Sequence, residues 1–251
     1  MTGLGSRFKQ AGYDTYKALI NMHGQPVIQY IVDMYPNEAD FIFICRNDML
    51  QTTDLNQVLL DIKPSAQVVG IEPHKLGPVY TVAQVFDLIE DDEQVVCNYC
   101  DFYMEWDYKH FKDVANSRKY SGIIPCYTGF HPHLLHEKNL YAGCQVNGDL
   151  LLTEIKEKFS FESDKSKGYH SAGNYYFDKG IYVKKYFKQL MDENIHLNGE
   201  YYISLVYNLL VKDGLDVLVY DEIPHFCQWG TPEDMEEYNR WSEVFKLLSH
   251  D

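Results

Sequence analysis

Residues 41–72 read FIFICRNDMLQTTDLNQVLLDIKPSAQVVGIE and hold two apolar runs on either side of a segment with helical periodicity. The runs FIFICR (41–46) and AQVVGIE (66–72) have the length and composition of buried strands. Residues 47–62 between them place apolar side chains at helical spacing. A strand, a helix and a second strand in this order are typical of an α/β fold, in which helices cover a sheet.

The same alternation continues on both sides of this segment. Further helical patterns lie at 26–36 and 78–92, and further strand-like runs lie at 93–102 and 216–223. Residues 121–180 differ, because their short apolar runs and a VNGD turn indicate antiparallel strands and hairpins. The pattern therefore predicts a mixed region inserted into a mostly parallel one.

The C-terminal part returns to helical patterns, over 200–214 and 231–250. Gly214 is a C-terminal stop for the first helix, and a Thr-Pro pair gives the second an N-cap followed by proline. No repeat, low-complexity tract or linker divides the sequence. We predict a single domain over residues 1–251, with a Rossmann-like mixed, mostly parallel sheet and flanking helices.

Charge and composition exclude several classes of function. The formal net charge is −15 at pH 7, and a general nucleic-acid binder needs clustered Lys and Arg, so we expect no nucleic-acid partner. No run approaches the ~20 apolar residues that a membrane span requires, so we expect no membrane partner. Six cysteines without an apolar signal segment favour a reducing, cytoplasmic location.

A glycine-containing loop, TGLGSRF, occupies residues 2–8. Glycines let backbone N–H groups approach phosphate oxygens, and Arg7 and Lys17 would offset the charge of a triphosphate. The loop alone is weak evidence, because a flexible N-terminus with solvated cations reads the same way and no Gly-Lys-Ser/Thr completes a P-loop. Such a loop normally follows a buried strand, and only Met1 precedes it here. Either a first strand is missing from this start, or another segment fills its place.

Six further motifs follow the glycine loop in a fixed order. They are YKALINMHGQPVIQY (16–30), HKLGPVYTVAQ (74–84), CNYCDF (97–102), LTEIKEK (152–158), HSAGNYYF (170–177) and QWGTPEDMEEY (228–238). Together they resemble the signature of the sugar-phosphate nucleotidyltransferases, across nearly the whole chain. Each motif is weak by itself, but their order makes the resemblance specific.

The resemblance implies a fold of the nucleotide-diphospho-sugar transferase type and transfer of a nucleoside monophosphate from an NTP to a phosphorylated small molecule. It implies triphosphate binding at Gly3, Leu4, Gly5, Ser6, Arg7 and Lys17. Gly77 would lie in the turn that receives the base, and Asp101 would hold Mg²⁺, the implied cofactor, at the end of a strand. The implied catalytic residues are Arg7, Lys17 and Asp101. The implied acceptor contacts are Glu157, Lys158, Gly173 and Asn174.

Some of these residues have a purely structural alternative, and one position departs from the family pattern. Asp101 would otherwise be a turn or cap residue, and Lys158 a surface lysine on an edge strand. Gln228 stands where the family commonly has a second metal-binding aspartate, and an amide is a poorer Mg²⁺ ligand than a carboxylate. The metal would then depend on Asp101 with phosphate oxygens and water, or recruit Asp221, Glu222 or another acid.

The nucleotide and the acceptor are less specified than the reaction. The C-terminal motif resembles small nucleotidyltransferases of bacterial capsule and surface-polysaccharide synthesis, some of which use CTP, so we expect CTP and a sugar 1-phosphate. The alternative is a cytidylyltransferase for a non-sugar phosphate of the phosphocholine or phosphoglutamine type.

Two other classes of function and the oligomeric state stay open. A GT-A glycosyltransferase would carry a D-x-D motif, whereas Asp101 is followed by Phe102 and Tyr103. A non-catalytic nucleotide-binding domain is the second rival. Exposed aromatic residues in 170–190 would give a homodimer interface.

Overall fold

The computed structural model describes residues 1–3 and 5–248, and within them helices alternate with strands. The α-helices are α1 (Ser6–Gln10), α2 (Val27–Asp33), α3 (Asn47–Thr52), α4 (Leu55–Ile62), α5 (Pro78–Ala83), α6 (Tyr108–Asn116), α7 (Gly180–Asp192), α8 (Ile203–Lys212) and α9 (Pro232–Leu248). Short 3-10 helices lie at Lys17–Leu19, Phe86–Leu88, Pro132–Leu135 and Lys165–Lys167. No helix in this part of the chain has the length and apolar character that a membrane crossing requires.

Four sheets contain the strands. The strands are β1 (Asn21–Met22), β2 (Gln25–Pro26), β3 (Ile42–Arg46), β4 (Gln67–Ile71), β5 (Val95–Asn98), β6 (Phe102–Glu105), β7 (Gly122–Tyr127), β8 (Gly143–Val146), β9 (Leu152–Lys156), β10 (Tyr169–Ser171), β11 (Asn174–Phe177), β12 (Val217–Ile223) and β13 (His225–Gln228). Seven of them, β5 and β7 to β12, form the central sheet. The pairs β1–β2, β3–β4 and β6–β13 form the smaller ones.

The central sheet is mixed but not mostly parallel, so that part of the prediction is not confirmed. The parallel pairs among the described strands are β3–β4 and β7–β12, and the remaining pairs are antiparallel. The reason is β11, which pairs antiparallel with both β5 and β7 and so separates two strands that run in the same direction. The hairpin β8–β9 adds a further antiparallel pair, as the VNGD turn predicts.

Two apolar cores lie on opposite faces of the central sheet, which confirms the flanking helices. Alternate residues of a strand point to opposite faces, and in β7 Ile123 and Tyr127 belong to one core while Ile124 and Cys126 belong to the other. Helices α2, α4 and α6 supply the first core, and α7 and α8 supply the second. The site described below lies where the strand ends and loops of these layers meet.

Most predicted elements are confirmed, with two informative differences. The predicted strand 93–102 ends at Asn98, and β6 begins only at Phe102, so Asp101 lies in a turn between two strands. The predicted helix 47–62 is interrupted at Thr53, whose extended backbone lets its hydroxyl accept from the N–H of Leu55. Thr residues favour such caps over helix interiors because the side chain satisfies a free N–H.

The aromatic residues of 170–190 mostly pack inside the chain. Tyr175, Tyr176, Phe177, Tyr186 and Phe187 are all buried in the two cores. These five side chains are therefore not available for a homodimer interface, and the oligomeric state stays a prediction. Their alternation on β11 and their spacing on α7 serve the chain's own interior instead.

Candidate active site

Lys17 and Asp101 form an ion pair at the centre of the candidate site. Lys17 Nζ lies 2.5 Å from Asp101 Oδ2, and the two side chains are 23% and 16% exposed. Burial acts to lower the pKa of Lys17, but the charge of Asp101 and its hydrogen bond outweigh burial and raise that pKa. The ammonium is therefore a permanent cation beside the carboxylate. This juxtaposition joins two residues that the sequence assigned separately to phosphate and to metal.

The turn that carries Asp101 packs against the segment after β13. The N–H of Trp229 donates to the Asp101 carbonyl at 3.0 Å. A Cβ at Gly230 would lie 3.2 Å from Asp101 Oδ2, so the glycine leaves the carboxylate room. Gly173 comes close on another side, because a Cβ there would lie 2.0 Å from Cδ2 of Phe102. Glycine at 173 is thus required by Phe102, next to Asp101 in sequence.

The glycine loop presents open backbone beside Lys17. Gly5 has φ +63 at the start of α1, and a Cβ built at Gly3 or Gly5 would meet no described atom within 4 Å outside its own chain neighbours. Arg46 Nη1 donates to the Gly3 carbonyl at 3.3 Å and ties the loop to the end of β3. Arg7 is exposed, and its charge reaches Lys17 strongly enough to act against the raised pKa of Lys17. Leu4 lies outside the described residues, and of Ser6 only the backbone is described.

The predicted base turn is held by backbone contacts. Gly77 has φ +87 and ψ −179, and a Cβ there would lie 2.8 Å from the backbone N of Tyr201. Tyr201 N donates to the Leu76 carbonyl at 2.9 Å, and Val79 N donates to the Tyr201 carbonyl at 3.1 Å. This backbone conformation is nearly exclusive to glycine, so Gly77 is required both by its own dihedrals and by Tyr201.

A chain of side-chain hydrogen bonds links the base turn to the glycine loop. Thr81 Oγ1 lies 2.9 Å from Thr2 Oγ1 and 3.0 Å from His74 Nε2. The N–H of Leu76 donates to His74 Nδ1 at 3.1 Å. Burial lowers the pKa of His74, which favours the neutral ring that this acceptor role requires. The predicted phosphate loop and base turn are therefore neighbours.

Glu157 and Lys158 meet the segment that leads into α8. Ser204 Oγ donates to Glu157, and Lys158 Nζ lies 5.6 Å from the centre of the Tyr202 ring. Burial raises the pKa of Glu157 to about 7, against the Ser204 hydrogen bond and the Lys158 charge, which both lower it. The hydroxyl of Tyr202 donates to Glu200. Two carboxylates and an aromatic ring thus lie at the predicted acceptor side.

Gly173 and Asn174, two of the four predicted acceptor contacts, are more deeply buried than the other two, Glu157 and Lys158. The Asn174 side chain is wholly buried, and its Nδ2 donates to the hydroxyl of Tyr35 at the end of α2. Gly173 O accepts from Tyr99 N at 3.3 Å. In this structure both residues support the floor of the site rather than its surface. Tyr99 is closer to the surface, and burial with the Tyr175 and Glu157 charges raises the pKa of its phenol well above the usual value.

Gln228 is paired with an acid that the sequence did not identify. Its Nε2 donates to Asp234, which also accepts from the hydroxyl of Thr231. Asp234 N donates back to Thr231 Oγ1 at 3.2 Å, so Thr231 is the N-cap at the start of α9. Glu222 is an exposed residue paired with His110 at 3.0 Å, so it faces a different part of the molecule.

The donors around Asp101 fit a divalent metal that arrives with phosphates. Within residues 1–3 and 5–248, no three His, Cys, Asp or Glu side chains cluster as a complete metal site. Mg²⁺ commonly takes one or two protein oxygens and completes its shell with substrate phosphates and water. The Asp101 carboxylate borders the space beside Gly230, where a Cβ would lie 3.2 Å from its Oδ2. The residues present therefore fit a metal held jointly with a nucleotide.

The segment 200–204 is the part of the site that sequence reasoning missed. Tyr201 contacts the base turn through its backbone, while Tyr202 and Ser204 contact the acceptor side. Its sequence, EYYIS, reads simply as the start of a helix. The available signal was Glu200 next to two tyrosines, which places a charge and aromatic surface just before a buried helix.

Comparisons with known proteins give a family match and similar solved structures. Residues 1–153 match the model of the MobA-like NTP transferase domain. No curated protein sequence matches the chain. Among solved structures, the chain is similar to a nucleoside-diphosphate-sugar pyrophosphorylase from Vibrio cholerae RC9, with a TM-score of 0.75, 18% identity, and coverage of 95% of this chain and 97% of that chain. It is also similar to the inositol-1-phosphate CTP transferase from T. maritima, with a TM-score of 0.71, 16% identity, and coverage of 99% and 92%.

The two structural similarities establish the fold, and the family match goes further. The matched range includes Lys17, Gly77 and Asp101 and stops just before the acceptor side. Enzymes of this family generally use a divalent metal, in agreement with the oxygen donors around Asp101. Because the match covers more than half of the chain, the protein belongs to the MobA-like NTP transferase domain family and is a nucleotidyltransferase.

Proposed function

We propose that the enzyme transfers CMP from CTP to a phosphorylated small molecule, a sugar 1-phosphate in the first instance, and releases pyrophosphate. An oxygen of the acceptor phosphate attacks the α-phosphorus of the NTP, and a new P–O bond forms. The bond between the α-phosphorus and the bridging oxygen to the β-phosphorus breaks, and pyrophosphate leaves with the electron pair. No covalent intermediate with the protein is required.

The observation that carries this proposal is the Lys17–Asp101 pair, at 2.5 Å, within a site whose other walls are the glycine loop and the base turn. Triphosphate oxygens would attract the Lys17 ammonium away from Asp101 and leave the carboxylate for the metal. Mg²⁺, when bound with the NTP, offsets charge on the triphosphate and on the leaving pyrophosphate. Arg7, exposed beside the loop, is placed to contact the same phosphates.

Catalysis in this proposal depends on positioning and on charge. Lys17 would stabilise the negative charge that grows on the α-phosphate oxygens, because a fixed ammonium in a partly dry site interacts strongly. The open backbone at Gly3 and Gly5 would accept the phosphates without a steric clash. Gly77 would receive the base, and the acceptor would lie between Asp101 and Glu157, so that its phosphate is held near the α-phosphorus.

Different observations support CTP as the donor and a sugar 1-phosphate as the acceptor. The similar structure from T. maritima is a CTP transferase for an inositol phosphate, and this supports a cytidine nucleotide. The one from Vibrio cholerae is a nucleoside-diphosphate-sugar pyrophosphorylase, and this supports a sugar phosphate. Together with the resemblance of the C-terminal motif, these similarities support a role in supplying activated sugars for capsule or surface polysaccharide.

A second candidate acceptor is a non-sugar phosphate that carries an ammonium group, as phosphocholine does. The observation in its favour is the pair of carboxylates, Glu157 and Glu200, beside the Tyr202 ring, where the exposed Lys158 is the one cation that the described contacts show. A buried carboxylate is costly without a cation, and aromatic faces attract ammonium groups. A neutral sugar would satisfy these groups less well than a cation.

Thermal shift and pyrophosphate release test both candidates. The purified protein is heated with CTP, UTP, dTTP, ATP or GTP, each with Mg²⁺ or with EDTA. We expect CTP with Mg²⁺ to raise Tm most, because ligand binding to the native state stabilises it by mass action. Pyrophosphate release is then followed with sugar 1-phosphates, phosphocholine and phosphoglutamine. Release with phosphocholine alone would favour the second candidate, and no release with any NTP and acceptor would contradict nucleotidyl transfer to these acceptor classes.

A further inference from the structure

His74 lies in the loop between β4 and α5, and both nitrogens of its ring have a partner. The N–H of Leu76 donates to Nδ1 at 3.1 Å, and Nε2 lies 3.0 Å from Thr81 Oγ1. A backbone N–H is always a donor, so Nδ1 must be free of a proton. The neutral ring then has its proton on Nε2, and His74 donates to Thr81.

The Thr81 hydroxyl makes three contacts. Besides His74 Nε2, it lies 2.9 Å from Thr2 Oγ1 and 3.2 Å from the Gly77 carbonyl oxygen. A hydroxyl has one proton to donate and two lone pairs that accept. Because the Gly77 carbonyl can only accept, all three contacts are satisfied together when Thr81 donates to Gly77 and accepts from His74 and Thr2. Thr81 is 7% exposed, so water has little access to this junction.

We infer that His74 is a positioning residue, which holds the base turn against the glycine loop through Thr81, and does so only as the neutral ring with its proton on Nε2. This inference rests on the proposed function, in which the base binds at Gly77 and the triphosphate binds at the glycine loop. A nucleotide that spans both needs their separation fixed. When the free protein already fixes it, less ordering is needed on binding and the affinity is higher.

Protonation of His74 would open this junction. A protonated ring carries an N–H on both nitrogens, so Nδ1–H would face the N–H of Leu76 and their hydrogen bond would be lost. The Leu76 carbonyl accepts from Tyr201 N at 2.9 Å, so the loss would also reach the contact with segment 200–204. We therefore expect the affinity for the nucleotide to fall as His74 takes up a proton.

The groups around His74 favour the neutral ring. Burial lowers the pKa of His74, and the charge of the Met1 amino group lowers it further. The ring of Tyr80, on α5, faces the imidazole with the ring centres 4.7 Å apart. Within residues 1–3 and 5–248, no carboxylate is bonded to His74. Because the pKa lies below the ordinary value of 6.5, the neutral ring predominates at pH 7.5.

The competing explanation is that His74 only stabilises its own loop. His74→Asn separates the two roles, because the asparagine oxygen can still accept from the N–H of Leu76 in an Asx turn but does not reach Thr81. Thr81→Val removes the hydroxyl and keeps a similar shape, whereas Thr81→Ser keeps the hydroxyl. His110→Asn is the matched control for loss of an imidazole, since His110 is exposed on α6 and pairs with Glu222.

Nucleotide binding at pH 7.5 is measured by calorimetric titration with Mg²⁺ and CTP, UTP, dTTP, ATP or GTP in turn. For the nucleotide that the wild type binds most tightly, we expect His74→Asn and Thr81→Val each to raise Kd about 3- to 10-fold, as the loss of one hydrogen bond would. The double variant should be no weaker than the weaker single one, because both changes break the same link. Thr81→Ser and His110→Asn should bind like the wild type.

Nitrogen-15 NMR of the imidazole reports the position of the proton directly, and the His74 signals are those that His74→Asn lacks. At pH 7.5 we expect the tautomer with its proton on Nε2. As the pH is lowered until these signals show protonation, the Kd of the wild type should rise at least to that of His74→Asn. Both proteins bind the same nucleotide, so titration of the NTP phosphates cancels in this comparison.

Each outcome has a defined meaning. Wild-type affinity in His74→Asn, binding by Thr81→Ser that is as weak as that of Thr81→Val, or a His74 proton on Nδ1 would overturn the inference and leave the proposed function standing. Wild-type protein that binds no NTP would overturn both. Should Thr81→Val not fold, the Kd of His74→Asn and the tautomer decide the matter.

Discussion

The two sides of the candidate site balance charge differently. The donor side consists of the glycine loop, Lys17, Gly77 and Asp101. The acceptor side consists of Glu157, Lys158, Glu200, Tyr202 and Ser204. On the donor side the carboxylate of Asp101 has an ammonium at 2.5 Å. On the acceptor side Glu157 is bonded to the Ser204 hydroxyl. The donor side is therefore neutralised before any ligand arrives, whereas the acceptor side holds an acid whose ionisation is opposed by burial.

The two pKa shifts express this difference. The charge of Asp101 and its hydrogen bond overcome burial and raise the pKa of Lys17, which favours the ammonium form. Burial dominates at Glu157 and raises its pKa to about 7. A group whose charge is unbalanced in the free protein is one whose charge a ligand can change. We therefore expect the charge of Lys17 on the donor side to stay the same when a ligand binds, and the ionisation of Glu157 on the acceptor side to change.

Of the changes considered, Asp101→Asn on the donor side should reduce catalysis most. The amide keeps the shape of the side chain but removes the charge that pairs with Lys17 and would hold the metal. We expect kcat and kcat/KM for pyrophosphate release to fall together by about 10²- to 10³-fold, the scale seen when a transition-state contact is lost. Steady-state kinetics with saturating Mg²⁺ measures both constants.

A control at another acid tests whether this loss is local. Glu222→Gln changes an exposed carboxylate that pairs with His110, and surface pairs of this kind contribute little. We expect wild-type kinetics from it. Wild-type turnover in Asp101→Asn would remove Asp101 from the catalytic centre.

Gly77→Ala should break the contact between the donor side and the segment 200–204. Its Cβ would lie 2.8 Å from Tyr201 N, and the backbone conformation itself disfavours alanine. We expect a loss of about 1–3 kcal/mol in the free energy of unfolding and an NTP affinity at least about tenfold weaker. Urea unfolding and calorimetric titration measure the two effects.

Gly214→Ala is the matched control, since Gly214 has φ +77 at the end of α8 but open space around it. It should cost roughly 1–2 kcal/mol from the backbone alone and leave NTP affinity unchanged. Equal NTP binding in the two variants would mean that the turn at Gly77 does not contact the nucleotide.

The individual strands could be predicted, because the sequence of a single segment determines each of them. The runs 41–46, 66–72 and 216–223 are strands as their apolar composition predicts, although β4 fully buries only Ile71 while β3 and β12 each bury several side chains. The antiparallel direction of β11 confirms the prediction for residues 121–180, but its neighbours in the sheet could not be predicted, because an apolar run has the same composition whichever strands it pairs with. A mostly parallel sheet was therefore expected from local patterns and not found.

The candidate site, like the fold, could be predicted only in part. Lys17, Gly77 and Asp101 were assigned from motifs, and the structure brings Lys17 and Asp101 into contact. The partners that tune the site, namely Tyr201 at Gly77, Ser204 at Glu157 and Asp234 at Gln228, were not predicted. Two of these contacts join residues far apart in sequence, and they exist only because tertiary packing brings different strands and helices together. Even the hydrogen bond between the neighbouring Gln228 and Asp234 was not predicted, because the sequence shows only that Asp234 lies in the first turn of a helix.

Glu157→Gln on the acceptor side should change how the stability of the protein depends on pH. The folded-state pKa of about 7 lies above the ordinary value of 4.5, so the folded protein binds this proton more tightly than the unfolded chain does. Stability therefore falls as pH rises from 4.5 to 7, and the full cost of the buried charge is present above pH 7. Glutamine has no charge to lose and can still accept from Ser204. The variant should gain about 1–3 kcal/mol over the wild type between pH 4.5 and pH 8.

Urea unfolding of both proteins at pH 4.5, 6 and 8 measures this gain, and added phosphocholine links it to the choice of acceptor. If an ammonium group binds beside Glu157, it should lower the pKa of that carboxyl, and phosphocholine should stabilise the wild type at pH 8 more than the glutamine variant. A sugar 1-phosphate should not distinguish the two proteins in this way. A stability difference that stays constant across pH would show that Glu157 keeps its charge at little cost, and the physical basis for an ammonium-bearing acceptor would be lost.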